Sequence, residues 1–181
     1  MKNVVFLLPV LLTIACNQPA KNYSTSKTEF NPELEKSAIM KTIENETECF
    51  YKRDYEGWKE NFVQKDYAFQ AWSNHDGTFD AKVGWKEVAE RTNAYIKANP
   101  VEPGKSSHPW VEKRNMIVKF FSESLAYLVW DQYNSDKDGK TFLLSKDQRI
   151  MEKISGKWRI ANVSSYWDYK NIIPADSVNN L

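Results

Sequence analysis

At 181 residues and a formal charge of +1, the chain has room for one domain and an N-terminal appendage. A charge so balanced creates no long-range field to gather nucleic acid or anionic lipid, which excludes both as electrostatic partners of the domain. Hydrophobic residues make up 41%, and 7 Trp, 9 Tyr and 9 Phe supply the volume for a proper core.

The first element is an address. Lys2 precedes an apolar run over residues 4–14, too short to span a bilayer, and Thr13-Ile14-Ala15-Cys16 closes it. Residues 1–15 read as a signal peptide, and Cys after a small residue resembles a bacterial lipobox. In that reading Cys16 becomes the acylated first residue of a protein anchored in the bacterial cell envelope. An ordinary signal peptide with a chance Cys, or a short helix, are the alternatives. Residues 16–30 are polar and aperiodic, a flexible tether. Cys49 is the one other cysteine, so a lipidated Cys16 leaves no intrachain disulfide, and Cys49 reads as a small buried hydrophobe.

The domain is expected over residues 31–172. Asn31-Pro32-Glu33 is a helix start, with Asn as the cap and Pro at the first position, and Ile39, Ile43 and Phe50 share a face beyond it. Asp54 opens a second, shorter helix carrying Tyr55, Trp58 and Phe62, although Gly57 weakens it. Residues 66–73 alternate as a strand, and Asn74-His75-Asp76-Gly77 is turn chemistry. A third helix after Gly84 presents Trp85, Val88, Ala89, Thr92, Tyr95 and Ile96, and ends at Asn99-Pro100. Residues 101–110 form a loop. Extended runs follow at 114–122, 125–133, 142–154 and 157–166, and residues 173–181 read as a loose tail. Helices first and strands afterwards predict an α+β layer pair, not a parallel sheet.

The sharpest local pattern is Arg149-Ile150, a Ser155-Gly156 turn, and Lys157-Trp158-Arg159-Ile160. With Asp54-Tyr55-Glu56-Gly57-Trp58, Gly84-Trp85-Lys86-Glu87-Val88 and Trp130-Asp131-Gln132, it resembles the SnoaL-like branch of the nuclear-transport-factor-2-like superfamily, over roughly residues 33–168. The resemblance implies a cone: a curved antiparallel sheet wrapped around three N-terminal helices, with a pocket at its open end. A relative, the calcium/calmodulin-dependent kinase association domain, carries an Arg-Val and Gly-Lys-Trp pair at the same separation and holds acidic ligands with that arginine. By analogy this nominates Arg149. Where the relative continues with histidines and an arginine, this chain has Asn162, Ser164 and Ser165, which do not make a strongly cationic pocket. Several superfamily members pair through the outer sheet face, and both faces of residues 125–133 are apolar here, so a homodimer is expected.

Arg149 has two readings, a pocket cation or a strand arginine paired with an acid. Asp131, among Val129, Trp130 and Tyr133, is a candidate catalytic carboxylate raised by apolar surroundings, as ketosteroid isomerase arranges its acids; the alternative is a polar residue on a solvated face. His75 is a candidate general acid or base, or an exposed turn residue. Trp130, Asn162, Trp72, Tyr95 and Tyr166 are candidates to line a pocket for an apolar or ring-shaped ligand. His108 is assigned to the loop. Two such histidines without a Cys pair do not make a zinc site. Residues 134–139 copy the first half of a calcium loop, but Ser145 stands where a bidentate Glu is required, which favours a hairpin turn. With no phosphate loop and no nucleophile elbow, no cofactor is implied. Two functions remain open. One is a non-catalytic envelope lipoprotein whose cone binds a small molecule or partner. The other is a SnoaL-type isomerase, cyclase or hydrolase using Asp131 or His75 on a small hydrophobic substrate.

Overall fold

Asn31 caps the first helix as its sequence requires, its side-chain oxygen accepting from the amides of Glu33 at 3.1 Å and Leu34 at 3.2 Å. The computed structural model describes residues 29–178; the signal segment and Cys16 lie outside the described residues. Helix α1 (Pro32–Tyr51) turns Ile39, Ile43, Glu46, Thr47 and Tyr51 inward. Helix α2 (Tyr55–Lys59) is capped by Asp54, which accepts from the Gly57 amide at 2.9 Å. The glycine that weakens this helix on propensity is needed there, because a Cβ would overlap the side chains of Asp54 and Cys49.

Strand β1 (Phe69–Ser73) and strand β2 (Phe79–Val83) form a hairpin, followed by helix α3 (Trp85–Ala98), which buries Val88, Thr92 and Ile96. Four long strands complete the sheet: β3 (Val111–Ser122), β4 (Leu125–Ser135), β5 (Thr141–Ile154) and β6 (Lys157–Pro174). The sheet order is β2-β1-β6-β5-β4-β3. The architecture is the expected α+β cone, with one refinement: β1 and β6 run parallel, so the sheet is mixed. The sequence pattern predicts no strand at β2. This edge strand leaves Phe79 and Val83 exposed and so carries no burial periodicity.

Strand β6 also outruns its predicted end. Ile172 and Ile173 pair with Leu143 and Phe142, and a short helix α4 (Ala175–Val178) follows. Val178 is buried, and its carbonyl accepts from Arg114 Nη2 at 2.8 Å. Residues 173–178 are therefore tied to the sheet.

Two irregularities aim the side chains. In β3, Asn115 and Met116 together face the single residue Trp130, with Asn115 at φ 54°. In β6, Ile160 and Asn162 pair with Met151 and Ile150, leaving Ala161 as the extra residue. A bulge reverses which alternate residues face inward. Trp158 and Ile160 point into the core below it, whereas Val163, Ser165 and Trp167 point into the cone above it. The core of Ile39, Ile43, Trp58, Leu128, Met151 and Ile160 fills the closed end, and the open end stays hollow.

Candidate ligand-binding site

The hollow is a cavity of about 280 Å³ bounded by α1, α3, β1 and the inner face of β4–β6. Its floor is ionic. Asp147 and Arg149 stand two apart on β5 and so share its inner face. Asp147, 2% exposed, accepts from Ser145 Oγ at 2.6 Å, Ser165 Oγ at 2.7 Å and Arg149 Nη1 at 3.1 Å. Glu46 descends from α1, where its Oε1 accepts from Trp58 Nε1 at 3.2 Å. Burial raises the Glu46 carboxyl above its ordinary range, with the Arg149 charge working against that rise.

Arg149 is 3% exposed and lies over the Trp130 ring at 5.0 Å. Its Nη1 also donates to the Gln148 carbonyl at 2.9 Å. Nη2 approaches Glu46 Oε2 only to 3.7 Å, too long for a hydrogen bond. Nε is buried without a partner among the described residues. Lys113, on β3, completes the local charge: burial lowers its pKa, and Glu46 counters that effect.

The walls are aromatic. Phe50 of α1 and Tyr95 of α3 stack at 5.6 Å and 10°, and the Arg53 guanidinium lies over both. Trp72 of β1 is covered by Arg91 at 5.0 Å, itself held by Asp80 at 2.6 Å. Trp167 and Tyr169 of β6 stack at 5.8 Å and 12°. The loop before β3 adds His108. It is pinned where the Ser107 amide donates to the Tyr51 carbonyl at 3.0 Å and the Trp110 amide to Ser135 Oγ at 3.0 Å. Burial lowers the His108 pKa, and the Ser135 carbonyl partly restores it. That carbonyl accepts a hydrogen bond from Nδ1–H, so in the neutral ring Nε2 is the bare acceptor. Deeper in, the Tyr51 hydroxyl donates to Asn134 Oδ1 at 2.8 Å, and Thr92 Oγ1 donates to Gln70 Oε1 at 3.0 Å.

Of the residues nominated from sequence, Arg149, Trp72 and Tyr95 line this cavity. Arg149 unites its two readings, being both a cavity residue and an arginine paired with acids. Trp130 lies beneath the guanidinium, 1% exposed, and does not line the space. Asn162 and Tyr166 fall on the alternate positions of β6 above the bulge and face away from the cavity. Asp131 is on the outer face of β4, hydrogen-bonded by Asn115 Nδ2 at 2.8 Å and ion-paired with Lys146. Burial pushes its carboxyl up, but those two partners outweigh it and hold the pKa below the ordinary range, opposite to the shift expected of a pocket acid. His75 sits in the turn after β1, with its ring 5.4 Å from Tyr169 and outside the lining.

Sequence reasoning passes over Glu46 and Asp147, and places His108 in its loop without assigning it to the site. Two of these carried a signal. Glu46 sits three residues after Ile43 and seven after Ile39, an acid on the apolar stripe of a helix, and Asp147-x-Arg149 places opposite charges on one strand face.

No family model and no curated protein sequence matches the chain. Solved structures do. The association domain of C. elegans CaMKII superposes with a TM-score of 0.56 at 15% identity, covering 74% of this chain and 95% of that one. An NTF-2 like protein of unknown function from Shewanella oneidensis gives 0.55 at 16% identity, covering 73% and 98%. A protein of unknown function with a cystatin-like fold, from Nostoc punctiforme, gives 0.54 at 20% identity, covering 77% and 95%. At such identities the likeness is one of fold.

Proposed function

We propose that this chain, a nuclear-transport-factor-2-like cone, is a non-catalytic binding protein for a small planar molecule, carried on the bacterial envelope by acyl chains on Cys16. The observation that carries the reading is the cavity itself: stacked aromatic walls above a buried polar floor, the lining expected of a small-ligand site. Binding is favoured over catalysis because the residues nominated for acid–base chemistry are absent from the cavity and its Asp147 is engaged. Asp147 accepts three hydrogen bonds, and neither Asp131 nor His75 lines the cavity to serve as an acid–base partner.

The test is a thermal-shift screen of planar one- and two-ring compounds against wild type and Trp72→Ala. A binder should raise the melting temperature of wild type and raise that of the variant less. A screen in which no compound shifts either protein removes the reading. Mass spectrometry of the mature protein tests the anchor, which requires an acylated N-terminal Cys16.

One observation favours the enzymatic alternative. His108 is a neutral imidazole at the cavity wall with Nε2 unoccupied, the form a general base needs. A hydrolase or isomerase would then use His108, and loss of turnover in His108→Asn with unchanged ligand affinity would establish it.

A further inference from the structure

Resting on the reading of the cavity as a ligand site, we infer that its ligand is an uncharged carbonyl compound, and that Arg149 receives the carbonyl oxygen. A guanidinium in a pocket ordinarily suggests a carboxylate partner, because its planar fork matches two oxygens. The charges around Arg149 oppose that here. Asp147 is in direct contact at 3.1 Å and Glu46 approaches at 3.7 Å, so the floor already holds two carboxyl groups facing the guanidinium. A ligand carboxylate gripping Arg149 would stand beside these two carboxyl groups as a third, where like charges repel.

The donors, by contrast, are incompletely used. Nη1 is engaged by Asp147 and the Gln148 carbonyl, but Nη2 makes no hydrogen bond and Nε is buried without a partner among the described residues, on a cavity-lining side chain nine-tenths or more buried. Buried donors left open are rare and costly, so an acceptor arriving in the cavity gains more than a solvent-exposed one would. Gln70, also buried and lining the cavity, has its oxygen engaged by Thr92 and its amide nitrogen without a partner among the described residues. It is the second donor to the same class of oxygen. A neutral carbonyl answers these donors without adding charge, and a ring attached to it would meet aromatic walls, Phe50–Tyr95 and Trp167–Tyr169, in the same cavity.

Three naphthalenes of nearly equal shape separate the possibilities: 2-acetylnaphthalene, 2-naphthoate and 2-ethylnaphthalene, titrated calorimetrically into the purified full chain at neutral pH. The ketone should bind about tenfold tighter than either of the others, the scale of one well-placed hydrogen bond to a charged donor. Arg149→Met should reduce the ketone to the affinity of the hydrocarbon. Because that change strands Asp147, a second variant keeps the arginine: in Glu46→Gln/Asp147→Asn the floor gains net positive charge, and 2-naphthoate should become the tightest of the three. Naphthoate binding wild type as tightly as the ketone overturns the inference, as does equal binding of ketone and hydrocarbon, and both outcomes leave the cavity reading standing. Binding of none of the three removes the cavity reading as well.

Discussion

Glu46 and His108 titrate in opposite senses, and each leaves a separate mark on stability. Burial raises the Glu46 carboxyl above its unfolded value of 4.5, so the folded chain holds a proton that the unfolded chain releases first. Stability from this group is complete below that pH and is lost as pH rises through the folded value. The His108 ring is lowered from 6.5, so above 6.5 its contribution is complete, and it is lost as pH falls through the folded value. Urea melts across the acid-to-neutral range should show this in the variants. Glu46→Gln should gain on wild type as pH rises from 4.5. His108→Asn should start about 1 kcal/mol behind at neutral pH, from the lost hydrogen bond to Ser135, and close that gap as pH falls below 6.5. Parallel curves for wild type and both variants would show that these groups titrate normally.

At the level of elements, legibility follows burial. Helix α1 was readable because its cap, its proline and the Ile39–Ile43 stripe agree. Strand β2 was not, since an exposed edge strand has no face to encode. Asp131, flanked by Val129, Trp130 and Tyr133, reads either as a pocket acid or as a polar residue on a solvated face, and its pairing with Asn115 and Lys146 places it on the outer face. Asn162 is nominated through the family resemblance and Tyr166 as a strand aromatic, and one extra residue puts both on the face away from the cavity. That residue, Ala161, is small, and nothing in its neighbours announces a bulge. Deleting Ala161 should therefore be tolerated. Ile160 would then adjoin Asn162, and Val163 and Ser165 would keep Arg149 and Asp147 as partners on β5 and go on facing inward in a regular ladder. The deletion variant should retain planar-ligand binding, as should Ala161→Ser, which keeps the bulge; calorimetry on the two variants is the check, and loss of binding in the deletion alone would show that the bulge itself shapes the cavity.

On the scale of the whole molecule, the outer sheet face is the surface that remains to be covered. Ile117 pairs with Val129 and Tyr127 with Ile150, and Phe121 is 65% exposed near them, so apolar side chains run across β3, β4 and β5. A patch of this kind, on a sheet whose other face is packed, is where the homodimer expected from the sequence would pair. Sedimentation velocity at micromolar concentration should give a dimer for wild type, and Ile117→Lys should shift it to monomer with little change in melting temperature, because that side chain is already 63% exposed. A wild-type monomer would leave the face as ordinary surface.

The parallel pairing of β1 with β6 also governs time. Phe69 meets Asn162 and Trp72 meets Ser165, so the seam that closes the cone joins segments from opposite ends of the domain. Contacts so distant in sequence are slow to form, because the intervening chain must first be ordered. Helix α1, α2 and the β3–β6 meander can assemble from nearer neighbours, and the cavity exists only once the seam is shut. A ligand of the cavity therefore has nothing to bind until folding is nearly over. In stopped-flow refolding it should leave the folding rate unchanged and slow unfolding alone, lengthening the lifetime of the closed cone in inverse proportion to the fraction left unliganded.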